Sequence, residues 1–353
     1  MDNTTERVDE RDTMFARAAR RRGTSAYEEY YARHPELKEP DDRIRAKPVL
    51  CSTESRHFDP ELSPLADSLF VSIPTDYPDP DLVARLAERL KTGSIDQNLR
   101  HMARESGAIA CGVAKITAQD VYTHKGRHDQ DYGLEVQLDH PNALVFLVEM
   151  NFEAMQHAPK VETIYESALQ YKRAAKIARM LAAALESAGY SASAQYDAHY
   201  ETILVSLAVS AGLGELGRHN ILIADRVGTR VRIGAVTTDA PLTPNTPISL
   251  GAASFCEICK KCSDNCPPKA LDGGCRKKIR GIQKWPTNDR ACYSWWRTIG
   301  TDCGICMVVC PFSHRNNWFH NGVRFVIRKY PALHHIALWL DDIIYGRRWS
   351  PSK

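Results

Sequence analysis

Cys256-Glu-Ile-Cys259-Lys-Lys-Cys262-Ser-Asp-Asn-Cys266-Pro267 is the stretch on which the reading of this chain turns. It is a complete C-x2-C-x2-C-x3-C-P run, the spacing in which three thiolates hold one [4Fe-4S] cube and the fourth reaches a neighbouring cube. Further on, Cys303-Gly-Ile-Cys306-Met-Val-Val-Cys310-Pro311 gives the same motif without its first cysteine, and Cys292 lies upstream to fill the gap. Eight ligands make two clusters. The spacing assigns Cys256, Cys259, Cys262 and Cys310 to one, and Cys266, Cys292, Cys303 and Cys306 to the other. Cys275 competes with Cys292 as eighth ligand, although Gly273 and Gly274 beside it suggest a loop. Zinc also takes four thiolates, but two interlocked C-x3-C-P units are a poor match to zinc-ribbon spacing. Cys51 and Cys111 are expected to be small buried residues.

Composition sets the frame around this module. The 353 residues are 43% hydrophobic, enough for real cores and too apolar for a disordered or fibrous chain. Forty-six basic against 43 acidic residues leave +3, too little to make nucleic acid or an anionic membrane the principal partner. No apolar run approaches the ~18 residues that span a bilayer. The start, Met1-Asp2-Asn3-Thr4-Thr5-Glu6, and the basic cluster of Arg17, Arg20, Arg21 and Arg22 are followed by polar sequence where an export signal needs an apolar stretch. The expectation is a cytoplasmic chain, whose clustered cysteines are metal ligands rather than cross-links.

Residues 1–90 are polar and proline-studded and read as an irregular N-terminal wrap. Residues 108–116 and 143–150 read as central strands, rich in Val, Ile, Leu and Phe. From 163 to 187 an alanine-rich stripe (Ile164, Ala168, Ala174, Ala175, Ile177, Ala178, Leu181, Leu185) predicts a long helix that Gly189 can terminate. In Arg230-Val-Arg-Ile-Gly-Ala-Val236 alternation puts Arg230 and Arg232 on one face of a strand. The expected units are the wrap (1–90), an α/β core (91–250), the cysteine module (251–312) and a packed C-terminal extension (313–353) containing Trp318, Phe319, Phe325 and Trp339.

Two clusters alone make an electron carrier, yet about 250 residues precede them. Here the sequence resembles a family, the corrinoid and iron-sulfur reductive dehalogenases and their relative epoxyqueuosine reductase. The resemblance is carried by Ala211-Gly-Leu-Gly-Glu-Leu-Gly-Arg218-His-Asn220, Arg230-Val-Arg-Ile-Gly-Ala-Val-Thr-Thr-Asp239-Ala-Pro241-Leu, Phe255-Cys256 and Cys310-Pro-Phe-Ser-His314, covering about residues 160 to 320; Asp41-Asp42-Arg43-Ile44-Arg45 also looks similar. Glu215-Leu216-Gly217-Arg218 favours the dehalogenases, since the tRNA-modifying relatives are expected to carry a Gly-Trp-Ile-Gly-Lys type of segment. The resemblance implies a nitroreductase-like core holding base-off cobalamin beside a ferredoxin-like dicluster module. Its glycine loop, Gly212, Gly214 and Gly217 with Arg218 and Asn220, is the implied cofactor-binding segment, with Arg218 a candidate anchor for a phosphate or amide. Asp197-Ala-His199-Tyr-Glu-Thr202 begins like the D-x-H-x-x-G motif of histidine-ligated cobalamin enzymes, but Thr202 stands where glycine is needed, so no histidine ligand to cobalt is expected.

The implied reaction replaces the halogen of an organohalide, an aromatic one by expectation, with hydrogen. It consumes two electrons and a proton. In the family a tyrosine beside a basic residue gives the proton; Tyr171 on the long helix is the candidate here, Tyr165 the fallback, and Arg230 or Arg232 the partner. The chain has neither the twin-arginine signal of exported members nor the fused reductase of long cytosolic ones, so an external donor such as a ferredoxin or flavodoxin with its reductase is expected. An epoxyqueuosine-type reductase and a dicluster carrier are the alternatives.

Overall fold

The computed structural model describes residues 7–75 and 77–350; residues 1–6, read above for an export signal, lie outside the described residues. Its centre is a four-stranded antiparallel sheet of β1 (Ala110–Lys115), β2 (Asn142–Glu149), β3 (Ala192–Gln195) and β6 (Val231–Thr238), in the order β1-β2-β6-β3. Two short hairpins, β4–β5 (Gly214–Leu216, Leu222–Ala224) and β7–β8 (Lys277–Ile279, Ile282–Lys284), stand apart from it. β2 is buried on both faces, as its unbroken apolar run requires. Leu144, Phe146 and Val148 enter one core and Ala143, Val145 and Leu147 the other. β1 lies at the sheet edge rather than centrally: its run is as apolar as that of β2, so composition alone did not rank them.

The first core is closed by α8 (Val161–Ser187), 27 residues and so about 40 Å long. Its apolar stripe is the one the sequence displayed, and Gly189 takes a left-handed φ of 96° just beyond its end. The short α7 (Phe152–Met155) precedes it. The second core is covered by α9 (Leu204–Ser210), with β4 and β5 alongside.

The N-terminal segment is not irregular. It forms α1 (Met14–Ala19), α2 (Ser25–Arg33), α3 (Pro35–Arg45), α4 (Leu62–Ser72) and α5 (Pro80–Leu90), followed by α6 (Ile95–Glu105). Thr13, Thr24 and Asp79 cap three of these helices, and such short capped helices have too few turns for periodicity to reveal. Buried Asp41 accepts hydrogen bonds from Arg17 and Tyr31, and Asp42 from Arg22, Arg45 and Tyr27, which pins α1, α2 and α3 together.

The cysteine module consists of α10 (Ala252–Cys259), α11 (Lys261–Asn265), α12 (Asp289–Ile299) and α13 (Ile305–Val308). The N-terminal segment is laced to α12: the Arg297 guanidinium donates to the carbonyls of Arg45, Lys47 and Pro48, and the Lys47 ammonium to Ser294 and Thr298. Two helices, α14 (Trp318–Lys329) and α15 (His334–Tyr345), close over the first cysteine motif. Trp318, Phe319, Phe325 and Trp339 are exposed rather than packed, because both helices turn their smaller and polar side chains inward (Arg324, Ile327, His334, Ala337, Leu338, Asp341). Among the described residues no helix is long and apolar enough to cross a membrane.

Candidate active site

All eleven cysteines are free thiols, and eight of them fall into two groups, six buried and Cys292 and Cys306 half-buried. Lys260, at φ 57°, breaks the chain between α10 and α11, so that Cys256, Cys259 and Cys262 turn toward one point. Cys310, brought in after α13, joins them, and the four thiols line one cavity together with Arg218 and His219. Burial, reinforced by the neighbouring thiols, drives Cys310 and Cys262 well above the usual thiol range; burial alone outweighs nearby Arg218 at Cys256, which rises to about 11, and Cys259 rises to about 12.

The second group is Cys266, Cys292, Cys303 and Cys306. Cys303 sits at φ 63°, and burial first, then the charge of their neighbours, raises Cys292 and Cys303 to about 12 and Cys306 far above the usual range. A backbone donor serves this group, the Ala270 N–H donating to Cys266 Sγ at 3.2 Å, and the Trp295 and Trp296 side chains lie near Cys303 and Cys292, the Trp295 indole nitrogen buried without a hydrogen-bond partner. Thiols so deeply buried ionise only beside a cationic partner, and an iron centre is one, so both groups fit a cluster. Cys275 is exposed and belongs to neither group, Cys111 is buried in β1, and Cys51 is half-buried beside α4.

The glycine loop serves the chain's own packing. A Cβ at Gly212 would stand 2.5 Å from the Thr246 carbonyl oxygen, at Gly214 2.2 Å from that of Ile223, and at Gly217 2.5 Å from the His219 ring. Arg218, expected as a cofactor anchor, is spent elsewhere. It lies over the Trp285 ring, and its donors reach the carbonyls of Cys256, Glu257, Asp272 and Gly274, which fixes the first cysteine motif to the loop. Asn220 donates to the Trp285 carbonyl, while its own Oδ1 is buried with no hydrogen-bond partner. His219 is fully enclosed; burial lowers it to about 4, so the ring is neutral.

Tyr171 and Arg232 meet where α8 crosses β6. The Arg232 guanidinium lies 4.5 Å from the Tyr171 ring centre and donates to Ser167 Oγ (2.6 Å) and Asp302 Oδ2 (3.1 Å), so the residue preceding Cys303 holds it in place. Arg230 does not share this face. The strand begins at Val231, one residue later, and Arg230 is buried against Glu149, Met150 O and Ser313 O. Tyr165 packs instead beside Ala66, Val161 and Ile164. Burial raises Tyr171 above the ordinary phenol range despite the opposing pull of Arg232, so the hydroxyl keeps its proton at neutral pH. Asp302 is likewise raised by burial, against Arg232 and Ser167.

Tyr171, Tyr122, Tyr200 and Arg127 are half-buried and form one electrostatically linked cluster. Arg127 donates to the Tyr200 hydroxyl at 3.0 Å and is within electrostatic reach of Tyr171. Sequence reasoning missed Arg127, Tyr122 and Ser167, which stand in no motif, and Tyr200, which occupies a free position of the Asp197–Thr202 segment; Asp302 carried a signal in its place beside Cys303. His199 stacks on His128 (ring centres 4.7 Å apart) in the turn after β3.

The molecule thus combines a helix-flanked antiparallel sheet, two groups of four thiols and a tyrosine–arginine pair set beside one of them. No family model matches the chain. It is 30% identical over 285 residues to the tetrachloroethene reductive dehalogenase of Sulfurospirillum multivorans, covering 71% of this chain and 56% of the relative. Identity to the tetrachloroethene reductive dehalogenase of Desulfitobacterium hafniense is 32% over 212 residues, 57% of this chain and 38% of that one. An epoxyqueuosine reductase of Lactococcus garvieae matches over 122 residues at 30%, 33% of this chain and 34% of that one. Among solved structures, the catabolic reductive dehalogenase NpRdhA shares the fold, with a TM-score of 0.74 at 23% identity over 97% of this chain and 47% of that chain. The chain belongs to the reductive dehalogenase family. It spans about half the length, or less, of the dehalogenases it matches.

Proposed function

We propose that this chain is a cobalamin-dependent reductive dehalogenase, an oxidoreductase that converts an organohalide, two electrons and a proton into the hydrogenated product and halide. The observation that carries the reading is the placement of Arg232 between the Tyr171 ring and Asp302, the neighbour of a buried thiol group. In this reading Cys256, Cys259, Cys262 and Cys310 hold one [4Fe-4S] cluster and Cys266, Cys292, Cys303 and Cys306 the second, in a ferredoxin-like module beside a nitroreductase-like core. When bound, the clusters relay electrons and the corrinoid passes them to the carbon–halogen bond. Tyr171 holds the proton until the carbon needs it. Arg232 then stabilises the phenolate left behind, while Ser167 and Asp302 keep the guanidinium from turning away. Asn220, with an unpaired buried oxygen, remains a candidate contact to the corrinoid, and the aromatic pair of Tyr122 and Tyr200 suits a flat, aromatic substrate. One structural neighbour is a complex of NpRdhA with 3-bromo-4-hydroxybenzoic acid, and the two curated dehalogenases described above are named for tetrachloroethene. In this reading the chain works in a reducing cytoplasm and takes its electrons from an external donor such as a ferredoxin or flavodoxin with its reductase.

The test is anaerobic reconstitution with iron, sulfide and cobalamin, followed by halide release from halophenols and tetrachloroethene with reduced viologen as donor. Halide release is expected from at least one substrate. A fully loaded protein that releases none, yet reduces epoxyqueuosine in tRNA, would overturn the reading in favour of the tRNA-modifying relative.

A further inference from the structure

We infer that His219 donates a hydrogen bond to the cluster held by Cys256, Cys259, Cys262 and Cys310, and so sets how readily that cluster accepts an electron. This rests on the cluster reading above. The His219 Nδ1 accepts the Ile221 backbone N–H at 3.1 Å. A backbone amide can only donate, so the neutral ring carries its proton on Nε2. That Nε2 is buried and has no hydrogen-bond partner among the described residues. A buried donor without an acceptor is costly, and few survive unless something answers them. The ring borders the cavity that the four thiols line. Gly217 has no side chain because the imidazole occupies its place, so the loop is shaped around this ring. The second thiol group has a donor of its own in the Ala270 amide, and His219 is the imidazole counterpart at the first.

Reduction adds negative charge that spreads over the cluster sulfurs, and an N–H aimed at sulfur favours that form. His219→Phe fills the same space without the donor. In the anaerobically reconstituted full chain, an EPR-monitored redox titration of His219→Phe should show one cluster with a lowered midpoint potential and the other unchanged. A tenfold lower ratio of reduced to oxidised cluster at fixed potential corresponds to about 59 mV for one electron. His219→Gln, which retains an N–H, should fall between the two. Unchanged potentials with both clusters present would overturn the inference and leave the cluster reading intact. If instead the wild-type chain binds well short of about eight iron atoms, the cluster reading itself fails. Should His219→Phe lose the cluster, pulsed EPR of the wild-type reduced state with 15N-histidine decides: a nitrogen coupling supports the donor role, and its absence refutes it.

Discussion

Burial favours the protonated form of Tyr171 and the neighbouring Arg232 cation favours the phenolate, two effects on opposite sides of one equilibrium that suit the acid role proposed for it. Tyr171→Phe keeps the ring and its contact with Phe70 but deletes the acid. Halide release should fall by about 10² to 10⁴-fold with iron and cobalamin content unchanged. Wild-type turnover in that variant would assign the proton to another group. Arg232→Lys keeps a charge that Arg232→Met removes, so the lysine variant should retain more activity if the cation stabilises the phenolate. Little of this pair was legible in the chain. Helical and strand periods placed Tyr171 and Arg232 on buried faces, but whether those faces meet depends on the register of α8 against β6, which no local pattern encodes. Arg230 shows the limit: alternation gave it the same face as Arg232, and the chain leaves the strand one residue too soon for alternation to apply.

Single elements carry consequences of their own. On β6, Gly234 pairs with Phe146 of β2, whose ring end lies 2.5 Å from where a Cβ would be. Gly234→Val should therefore cost about 1–3 kcal/mol in unfolding free energy, by forcing the Phe146 ring against α8. Adding Phe146→Leu should recover part of that loss; strict additivity in the double mutant would disprove the clash. On α15, Ile336, Trp339, Leu340, Ile343 and Ile344 repeat at helical spacing on the exposed side, while Lys261 and His314 reach buried Asp341 on the other. Such an apolar stripe should bind a hydrophobic dye. Replacing Ile336, Leu340 and Ile343 by Gln should reduce dye fluorescence without lowering Tm, because none of the three is in the core. The apolar content of this tail was legible, but its phase was not, since a stripe read from sequence does not say which side faces inward.

Across the whole molecule, the two thiol groups interleave: Cys310 crosses back to the first motif and Cys266 crosses forward to the second. Cys266→Ala, although within the first motif, should thus abolish the EPR signal of the cluster that Cys292 serves and spare the other. Loss of the first cluster instead would break the assignment. Motif spacing alone proposes this pairing, because the C-x2-C-x2-C-x3-C-P pattern sends its last cysteine to the neighbouring group. The cluster of Tyr122, Arg127, Tyr171 and Tyr200 was not legible in the sequence, since these residues come from separate parts of the chain and meet only when the sheet and α8 have assembled.

Interleaving also has a consequence for biosynthesis. Neither group of thiols is complete until the ribosome has passed residue 306 for one and 310 for the other, when most of the sheet and the N-terminal helices have already emerged. If the clusters form as proposed, iron and sulfide would have to reach a nearly finished polypeptide rather than a nascent hairpin.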